Sequence, residues 1–385
     1  DNNCNGQIDE GNVCCPTGNI LYVNDDALGL NNGSSWTNAF TDLQSALAST
    51  CPGITQIWVA AGTYKPTTGT DRTISFVLKN NLAIYGGFPG LPGQEGNFGA
   101  RNLLANVSIL SGDIGDTGNG DNSFTVVRGS GTNNTAILDG FTITGGNANG
   151  GGFHYGQERN GGGMFNGTSS NPTVRNCHFT GNTASGEGGG IFNYGFHCAP
   201  NLTNCAFTNN SAGISGGGIS NHDTRAGNLP SIINCTFYGN TAPTGGGMMV
   251  DSASTQAANC IFWGNSSSIF WDNSASGTTL NITNSIVQGG CPAFATCTNV
   301  QNTDPFFQNQ ASGNLRLTAC SPAINAGSNA AVPSGVTTDL DGNPRFFNSG
   351  VVDMGAYEFQ ADPLSAPTGT LAITNSTCTN CTLSG

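Results

Sequence analysis

The feature that most constrains this sequence is a short motif that recurs through its central part. The motif is Asn-Cys-x-Phe. Its copies begin at residues 176, 204, 234 and 259, and a degenerate copy, Asn-Ser-Ile-Val, begins at residue 284. Successive copies are 28, 30, 25 and 25 residues apart. Repetition at this spacing indicates a stack of similar structural units.

A second marker, three glycines followed by Ile or Met, occurs at residues 161–164, 188–191, 216–219 and 245–248. The repeats contain almost no Leu, Glu or Lys, which argues against a helical solenoid. Within each copy, Cys and Phe alternate with other residue types at the period of a strand. The pattern therefore predicts an all-β coil whose successive turns hydrogen-bond to each other as parallel strands.

Stacked coils place equivalent residues in rows, because each position lies over the same position of the next coil. Asn suits the bend between strands, since it tolerates left-handed backbone and its amide can bond to the next Asn. A triple Gly permits a tight corner or a close approach of two backbones. The predicted rows are sulfur (Cys177, Cys205, Cys235, Cys260), aromatic (Phe179, Phe207, Phe237, Phe262) and asparagine (Asn176, Asn204, Asn234, Asn259, Asn284).

These motifs resemble the right-handed parallel β-helix of pectate-lyase-like (pectin-lyase-like) proteins, over roughly residues 20–360. They are also similar to the glycine-rich surface proteins of Bacteroidota and related bacteria, many of which carry adhesin architectures. The resemblance implies a right-handed parallel β-helix with an N-terminal capping α-helix. It also implies a secreted or cell-surface location.

The composition supports an elongated β-solenoid, whose turns need small polar residues. Only 9% of the residues are charged, against about 25% in an average protein, and 58 are Gly. The net charge of −13, with ten basic residues, argues against nucleic acid or anionic membranes as partners. There is no run of about 18 apolar residues, so no transmembrane segment is predicted. We expect the chain as given to start after any export signal.

The fourteen cysteines fall into two groups. The four in the repeats are expected to be buried free thiols that behave as small hydrophobes. Disulfides are expected in turn-like contexts, although spacing does not fix the connectivity. Paired cysteines fit an extracellular setting. The favoured pairs lie among Cys4, Cys14, Cys15 and Cys51 and between Cys291 and Cys297, with Cys198, Cys320, Cys378 and Cys381 as further candidates.

The first ten residues predict a calcium site, because oxygen-bearing side chains alternate along a short loop that contains Gly6. The loop is similar to the Asp-x-Asn-x-Asn-Gly loops of EF-hand relatives. It departs from them at position 12, where Asn12 replaces the bidentate Glu, so Asp9 would serve instead. An acidic, Asn-rich linker is the alternative. The predicted Ca²⁺ ligands are Asp1, Asn3, Asn5, Gln7, Asp9 and Glu10.

The chain divides into four predicted segments. Residues 1–15 are the calcium loop or a linker, and residues 16–302 are the β-helix, with a cap helix at about 37–49 that covers its open N-terminal end. Residues 303–360 are expected to form the final coils and a C-terminal cap, with a salt bridge between Arg345 and Asp353. Residues 361–385 read as a linker and the start of a further domain, so other domains of a longer chain are expected partners.

Loops that follow the triple-Gly strands, together with the stretch just before the first triple Gly, should lie on one side of the coil and concentrate its functional side chains. Aromatic faces beside hydrogen-bonding groups suit a sugar-binding groove, and ordinary polar turns are the alternative. His178 is instead expected to be a solvated strand residue. The candidate glycan-binding residues are His154, Tyr155, Glu158, Arg159, Tyr194, His197, His222, Asp223, Arg225 and Asp251.

The favoured hypothesis is a non-catalytic, structural or adhesin-like module that binds glycans or assembles into extracellular filaments with copies of itself. The alternative is a carbohydrate-active lyase or hydrolase of the pectate-lyase-like superfamily. That alternative requires carboxylates from Glu158, Glu187, Asp223 and Asp251 to lie near Arg159 or Arg225. No catalytic residue is assigned from the sequence.

Overall fold

The computed structural model describes residues 18–115, 118–167, 169–222, 229–272, 277–293 and 295–361. Several predictions concern residues outside these ranges: the calcium loop of Asp1, Asn3, Asn5, Gln7, Asp9 and Glu10, the site residues Asp223 and Arg225, and Cys4, Cys14, Cys15, Cys378 and Cys381. These remain predictions.

Short strands follow one another along the described chain. The first are β1 (Ile20–Val23), β2 (Gln56–Ala60), β3 (Gly62–Tyr64), β4 (Phe76–Val77), β5 (Ala83–Phe88), β6 (Ser108–Ser111), β7 (Val127–Arg128), β8 (Ile137–Asp139), β9 (Phe141–Thr144) and β10 (Asn147–Ala148). The central strands are β11 (Met164–Asn166), β12 (Thr173–Arg175), β13 (His178–Thr180), β14 (Thr183–Ala184), β15 (Ile191–Tyr194), β16 (Asn201–Thr203), β17 (Ala206–Thr208), β18 (Ser211–Ala212), β19 (Ile219–His222), β20 (Ser231–Ile233) and β21 (Thr236–Tyr238). The last are β22 (Met248–Asp251), β23 (Thr255–Ala258), β24 (Ile261–Trp263), β25 (Ile269–Asp272), β26 (Leu280–Val287), β27 (Thr296–Gln301), β28 (Phe307–Asn309) and β29 (Asn314–Leu317). The helical elements are α1 (Leu43–Ala48) and the short 3-10 segments Phe98–Ala100, Gln310–Ser312, Asn329–Ala331 and Phe347–Ser349.

Three parallel sheets run along the molecule. Sheet A has 17 strands and receives two from most coils. Sheet B contains the seven strands β4, β7, β11, β15, β19, β22 and β25, and sheet C contains β10, β14 and β18. Each strand pairs with its equivalent in the next coil, for example β15 with β19 and β19 with β22. Parallel crossovers of this kind are right-handed, so the predicted right-handed parallel β-helix is confirmed.

The predicted aromatic and sulfur rows are both present in the core. Phe179, Phe207, Phe237 and Phe262 are fully buried, and their rings stack with centroid separations of 5.0, 4.6 and 4.3 Å along the row. The four repeat cysteines are buried free thiols. Burial raises the pKa of the Cys177 and Cys235 thiols, so these side chains stay neutral and pack as hydrophobes.

The asparagine row occupies the predicted bend between the two sheet A strands of each coil. All five residues have left-handed backbone, with φ between 46° and 54°. The Asn204 side-chain amide donates to Asn176 Oδ1 at 3.2 Å. A second adjacent pair, Asn234 and Asn259, is also bonded, and Asn204 and Asn259 donate to carbonyl oxygens of the C-terminal segment. The buried amides are thus satisfied partly along the row and partly by that segment.

Two further asparagine rows were not predicted. One contains Asn182, Asn210, Asn240 and Asn265, and in it each amide donates to the next side-chain oxygen at 2.9–3.0 Å. The other, in sheet B, joins Asn166, Asn193 and Asn221 at 2.8 and 2.7 Å. The first row had a visible signal, since each of its residues follows a core Phe by three positions.

The triple glycines serve both predicted purposes. The first Gly of each run has left-handed backbone, with φ between 59° and 70° at Gly161, Gly188, Gly216 and Gly245. The second lies against the neighbouring coil: a Cβ at Gly217 would be 2.5 Å from the Thr241 carbonyl oxygen. Any side chain there would separate the two coils.

The cap helix is present but shorter than predicted. It begins at Leu43, because Asp42 acts as its N-cap and accepts a hydrogen bond from Ser45 N at 2.7 Å. Residues 37–42 instead form turns and a bend, in which Phe40 exchanges backbone hydrogen bonds with Tyr22 and Asn24 beside β1. Leu43 and Leu47 join the hydrophobic core beside the first strands.

Residues 303–361 lie along the flank of sheet A. β28 and β29 form an antiparallel pair, and Leu315 and Met354 share a second hydrophobic cluster with Ile261 and Ile286. The segment packs on these two isoleucines because their side chains point away from the main core. The described part of the segment thus adds no parallel coil, although final coils were predicted there.

Two side-chain predictions in and near this segment are wrong. Arg345 pairs with Glu358, at 3.1 Å and fully buried, whereas Asp353 accepts backbone N–H groups of Asn325 and Phe359. His178 is half-buried rather than solvated, because the C-terminal segment covers it, and burial lowers its pKa to about 4.

The disulfide between Cys291 and Cys297 is confirmed, and Cys51 is also disulfide-bonded. Cys198 and Cys320, which were disulfide candidates, are free thiols. Cys198 is buried, and this burial raises its pKa to about 12. It therefore belongs with the core thiols rather than with the cross-linked turns.

Candidate functional site

The outer face of sheet B carries the candidate site. Its inward residues, such as Ile191, Ile219 and Met248, enter the core, so the alternate residues point outward. Strand register then places the outward side chains in two rows across successive coils. One row is Phe165, Phe192, Ser220, Met249 and Phe270, and the other is Tyr194, His222, Asp251 and Asp272.

A loop, residues 149–160, covers one end of this face. Asn160, which is buried, holds the loop by donating to the His154 and Gly156 carbonyl oxygens at 2.8 and 2.9 Å. Its side-chain oxygen accepts from Glu187 N at 2.8 Å. The loop is thereby tied to the next coil and presents Tyr155 to the face.

Tyr155 packs against two predicted site residues. Its ring is stacked on Tyr194, with centroids 4.6 Å apart and an interplanar angle of 14°. It also lies 4.7 Å from the His222 ring at 43°. His154 contacts Tyr155 edge-on at 4.5 Å. Four of the predicted residues, from three parts of the chain, therefore form one aromatic cluster.

His222 lies between two carboxylates. Its Nδ1 is 3.3 Å from Asp251 Oδ2 and 3.5 Å from Glu187 Oε2. The His222 side chain is 14% exposed and that of Glu187 is 8% exposed, so the pair is shielded from water on most sides. Such a position fixes the imidazole by charge and by hydrogen bonding.

Glu187 stays ionised in spite of its burial. Burial by itself opposes the charged form, but the hydrogen bond and the charge of His222, with hydrogen bonds from Ser220 and Ser215, lower the pKa of this carboxyl. Ser220 Oγ donates to Glu187 Oε2 at 2.8 Å. The site therefore contains a buried, oriented anion beside the imidazole.

The remaining predicted residues are not part of this cluster. Within the described residues, Arg159 forms no ion pair, and Glu158 packs against Gly150 and Gly152 of its own loop. His197 is exposed, with a left-handed backbone at φ 60°. Nor do the described ranges contain a group of three His, Cys, Asp or Glu side chains that could hold a metal ion.

The predicted glycan-binding set left out Glu187, Phe270 and Asp272, although Glu187 was among the carboxylates named for the enzymatic alternative. Glu187 directly precedes a triple Gly, and only the stacking of coils shows that it reaches His222. Phe270 and Asp272 lie in the last strand of sheet B, which follows three serines instead of three glycines. The usual marker of a sheet B strand is missing there, so this strand was not recognised.

The arrangement offers two kinds of contact to a ligand. Phe153 and Phe270 are 78% and 45% exposed, which provides apolar aromatic surface. The carboxylate of Asp251 and the imidazole of His222 provide fixed hydrogen-bonding groups, and the buried Glu187 holds His222 in place. An elongated ligand with apolar faces and many hydroxyl groups would be complementary to both.

Comparisons with known proteins add one likeness in fold. No protein-family model matches the chain, and no curated protein matches it. Among solved structures, it is similar to the crystal structure of pectate lyase Pel9A, with a TM-score of 0.39 and 14% identity over 88% of this chain and 96% of that chain. The likeness is one of fold. At this level it does not bear on activity.

Proposed function

We propose that this chain is a non-catalytic, secreted or cell-surface β-helix module that binds glycans on the outer face of sheet B. The observation that carries the proposal is the contact of Tyr155 with both Tyr194 and His222, beside the carboxylates of Glu187 and Asp251. Sugars present apolar C–H faces and rings of hydroxyl groups, which match aromatic surface and fixed carboxylates.

The shape of the site favours an extended ligand. Phe270 lies two coils beyond Ser220 in the same row, which corresponds to about 10 Å along the stack. The described face is a series of rows rather than an enclosed cavity. A chain of sugars could therefore contact Phe270 and the Tyr155 cluster at the same time.

The disulfides support an extracellular location. The disulfide between Cys291 and Cys297 and the disulfide at Cys51 are typical of oxidising compartments.

No helix in the described ranges is long and apolar enough to cross a membrane.

We also propose that the loop of Asp1, Asn3 and Asn5 binds Ca²⁺. Calcium titration followed by calorimetry, with and without chelator, would test this.

The binding proposal is tested by screening the full chain against a panel of polysaccharides and measuring affinity for those retained. We expect Phe270→Ala to weaken binding about tenfold, since an aromatic contact contributes about 1 kcal/mol or more. Phe346→Ala, at another half-exposed Phe outside the site, should bind as the parent does. Equal loss in both variants, or no glycan retained at all, would refute the proposal.

Catalysis is the second candidate, and one observation favours it. An imidazole held between two carboxylates resembles an oriented acid or base. Incubation with polysaccharides in the presence of calcium would reveal cleavage as unsaturated products or new reducing ends. Product formation that His222→Gln abolishes would establish a lyase or hydrolase and displace the non-catalytic proposal.

A further inference from the structure

A second candidate site lies on the outer side of sheet A, away from the glycan face. A cavity of about 130 Å³ separates the coil from the C-terminal segment. Residues from both parts surround it, namely Phe98, Arg101, Asp139, Arg175, Asn176 and Asn204 with residues 335–338. Two of the ten basic residues of an acidic chain meet at this point.

Asp139 holds the two guanidinium groups in place. Arg101 Nη2 contacts its Oδ1, and Arg175 Nε contacts its Oδ2. Asn176 Nδ2 also donates to Oδ1, at 2.9 Å. The Asp139 side chain is only 2% exposed, so its carboxylate is ionically paired, hydrogen-bonded on both oxygens and closed to further donors.

Three other acceptors at the wall are also occupied. The Asn176 side-chain oxygen accepts from Asn204, and the Asn204 oxygen accepts from Arg345 Nη2 at 2.9 Å. The Thr338 carbonyl oxygen accepts from Asn204 Nδ2 at 2.7 Å. These three oxygens at the cavity wall are therefore already engaged.

The guanidinium groups of Arg101 and Arg175 have more N–H donors than the acceptors they bond at this cavity. Arg101 uses Nε for the Gly86 carbonyl oxygen and Nη2 for Asp139. Its Nη1 donates to no acceptor among the described residues. Arg175 gives Nε to Asp139 and faces Tyr85, which leaves further N–H groups of its five-donor fork. Two guanidiniums against one carboxylate also give the cavity a net positive charge.

We infer that this cavity binds a tetrahedral oxyanion, sulfate or phosphate, either free or as an ester group on a larger molecule. Guanidinium forks match such anions in geometry and charge, and the cavity has room for the anion with a few waters. The bound anion would contact the coil through Arg101 and Arg175. It would lie against residues 335–338 of the C-terminal segment and so join the two parts.

The test is calorimetric titration of the full chain with sodium sulfate and with sodium phosphate, at constant ionic strength set by chloride. Wild type should bind saturably, and Arg175→Gln should weaken binding by about tenfold or more. Arg128→Gln removes a positive charge at an exposed strand residue and should change affinity less than twofold. Equal effects of the two variants, or no saturable binding by wild type, would overturn the inference.

A sulfated disaccharide and its unsulfated parent distinguish the two sources of the anion. Binding of the sulfated sugar that exceeds inorganic sulfate by about tenfold identifies an ester group, whereas binding at or below the inorganic level identifies the free anion. If Arg175→Gln does not fold, Arg175→Lys keeps the charge and should show intermediate affinity. Wild-type crystals soaked in selenate should give an anomalous peak between Arg101 and Arg175, and its absence would refute the site.

Discussion

The ring of Phe237 lies parallel to the ring of Phe262, with centroids 4.3 Å apart and an interplanar angle of 8°. The two residues are partners in adjacent parallel strands, and Phe207 stacks on the other side of Phe237 at 4.6 Å. A row of this kind joins each coil to the next through its core. Stability therefore propagates along the stack from neighbour to neighbour.

Phe237→Ala should destabilise the protein by about 3–5 kcal/mol, because it leaves a cavity and removes two ring contacts. Chemical denaturation followed by circular dichroism measures this loss. Phe270→Ala, which truncates a ring that is 45% exposed, is the matched control and should cost much less. Comparable losses in the two variants would contradict the role of the aromatic row.

Asn210→Leu should lower the free energy of unfolding markedly, because it leaves several buried polar groups without a hydrogen-bond partner. Each such group costs about 1–3 kcal/mol. The Asn210 side chain accepts from the Asn182 backbone and amide and donates to the Phe179 carbonyl oxygen and to Asn240. Thermal unfolding measures the effect, with the exposed Asn134→Leu as control. An Asn210→Leu variant as stable as the parent protein would show that water can replace the hydrogen bonds of the asparagine row.

Gly217→Ala should destabilise by about 1–3 kcal/mol, since a Cβ there would collide with carbonyl oxygens of Thr241 and Gly246. Gly120→Ala is the control, because a Cβ at Gly120 meets no atom within 4 Å. Both variants add the same methyl group, and the denaturant midpoint of unfolding is measured for each. Identical midpoints would mean that the coils can move apart at no cost.

The C-terminal segment should become less stable as the pH rises. Burial, and then the charge of Asp353, raise the pKa of Glu358 to about 8 from its ordinary value of 4.5, against the effect of Arg345. The folded protein thus keeps a proton that the unfolded chain releases above pH 4.5. The free energy of unfolding should therefore fall between about pH 4.5 and 8.

Melting temperatures measured across this interval check the prediction. Glu358→Gln cannot release the proton, so its melting temperature should fall less steeply over the same range than that of the parent protein. Glu95→Gln, in a loop far along the chain, should follow the parent curve. A parent protein whose stability rises steadily from pH 4.5 to 8 would contradict the raised pKa of Glu358.

The sequence by itself determined the repeating architecture. The Asn-Cys-x-Phe copies and the triple glycines recur at similar spacings of 25–30 residues, and a parallel stack converts such a repeat into rows of equivalent side chains. The sulfur, aromatic and bend asparagine rows follow from that local information, and the turn-like context of Cys291 and Cys297 favoured the disulfide between them. The sequence also predicted Tyr155, Tyr194 and His222 on one side of the coil, although Tyr194 and His222 end strands β15 and β19 and Tyr155 lies in the loop before the first triple Gly.

Only the tertiary structure decided what lies between these rows and outside them. The stacking of neighbouring coils brings Glu187 close to His222. The path of the C-terminal segment determines that Arg345 pairs with Glu358 and not with Asp353. The meeting of Arg101 with Arg175 depends on a loop and a strand that are distant in sequence. A repeat fixes which residues are equivalent, but contacts between non-equivalent residues depend on the three-dimensional course of irregular chain, which has no periodic signal.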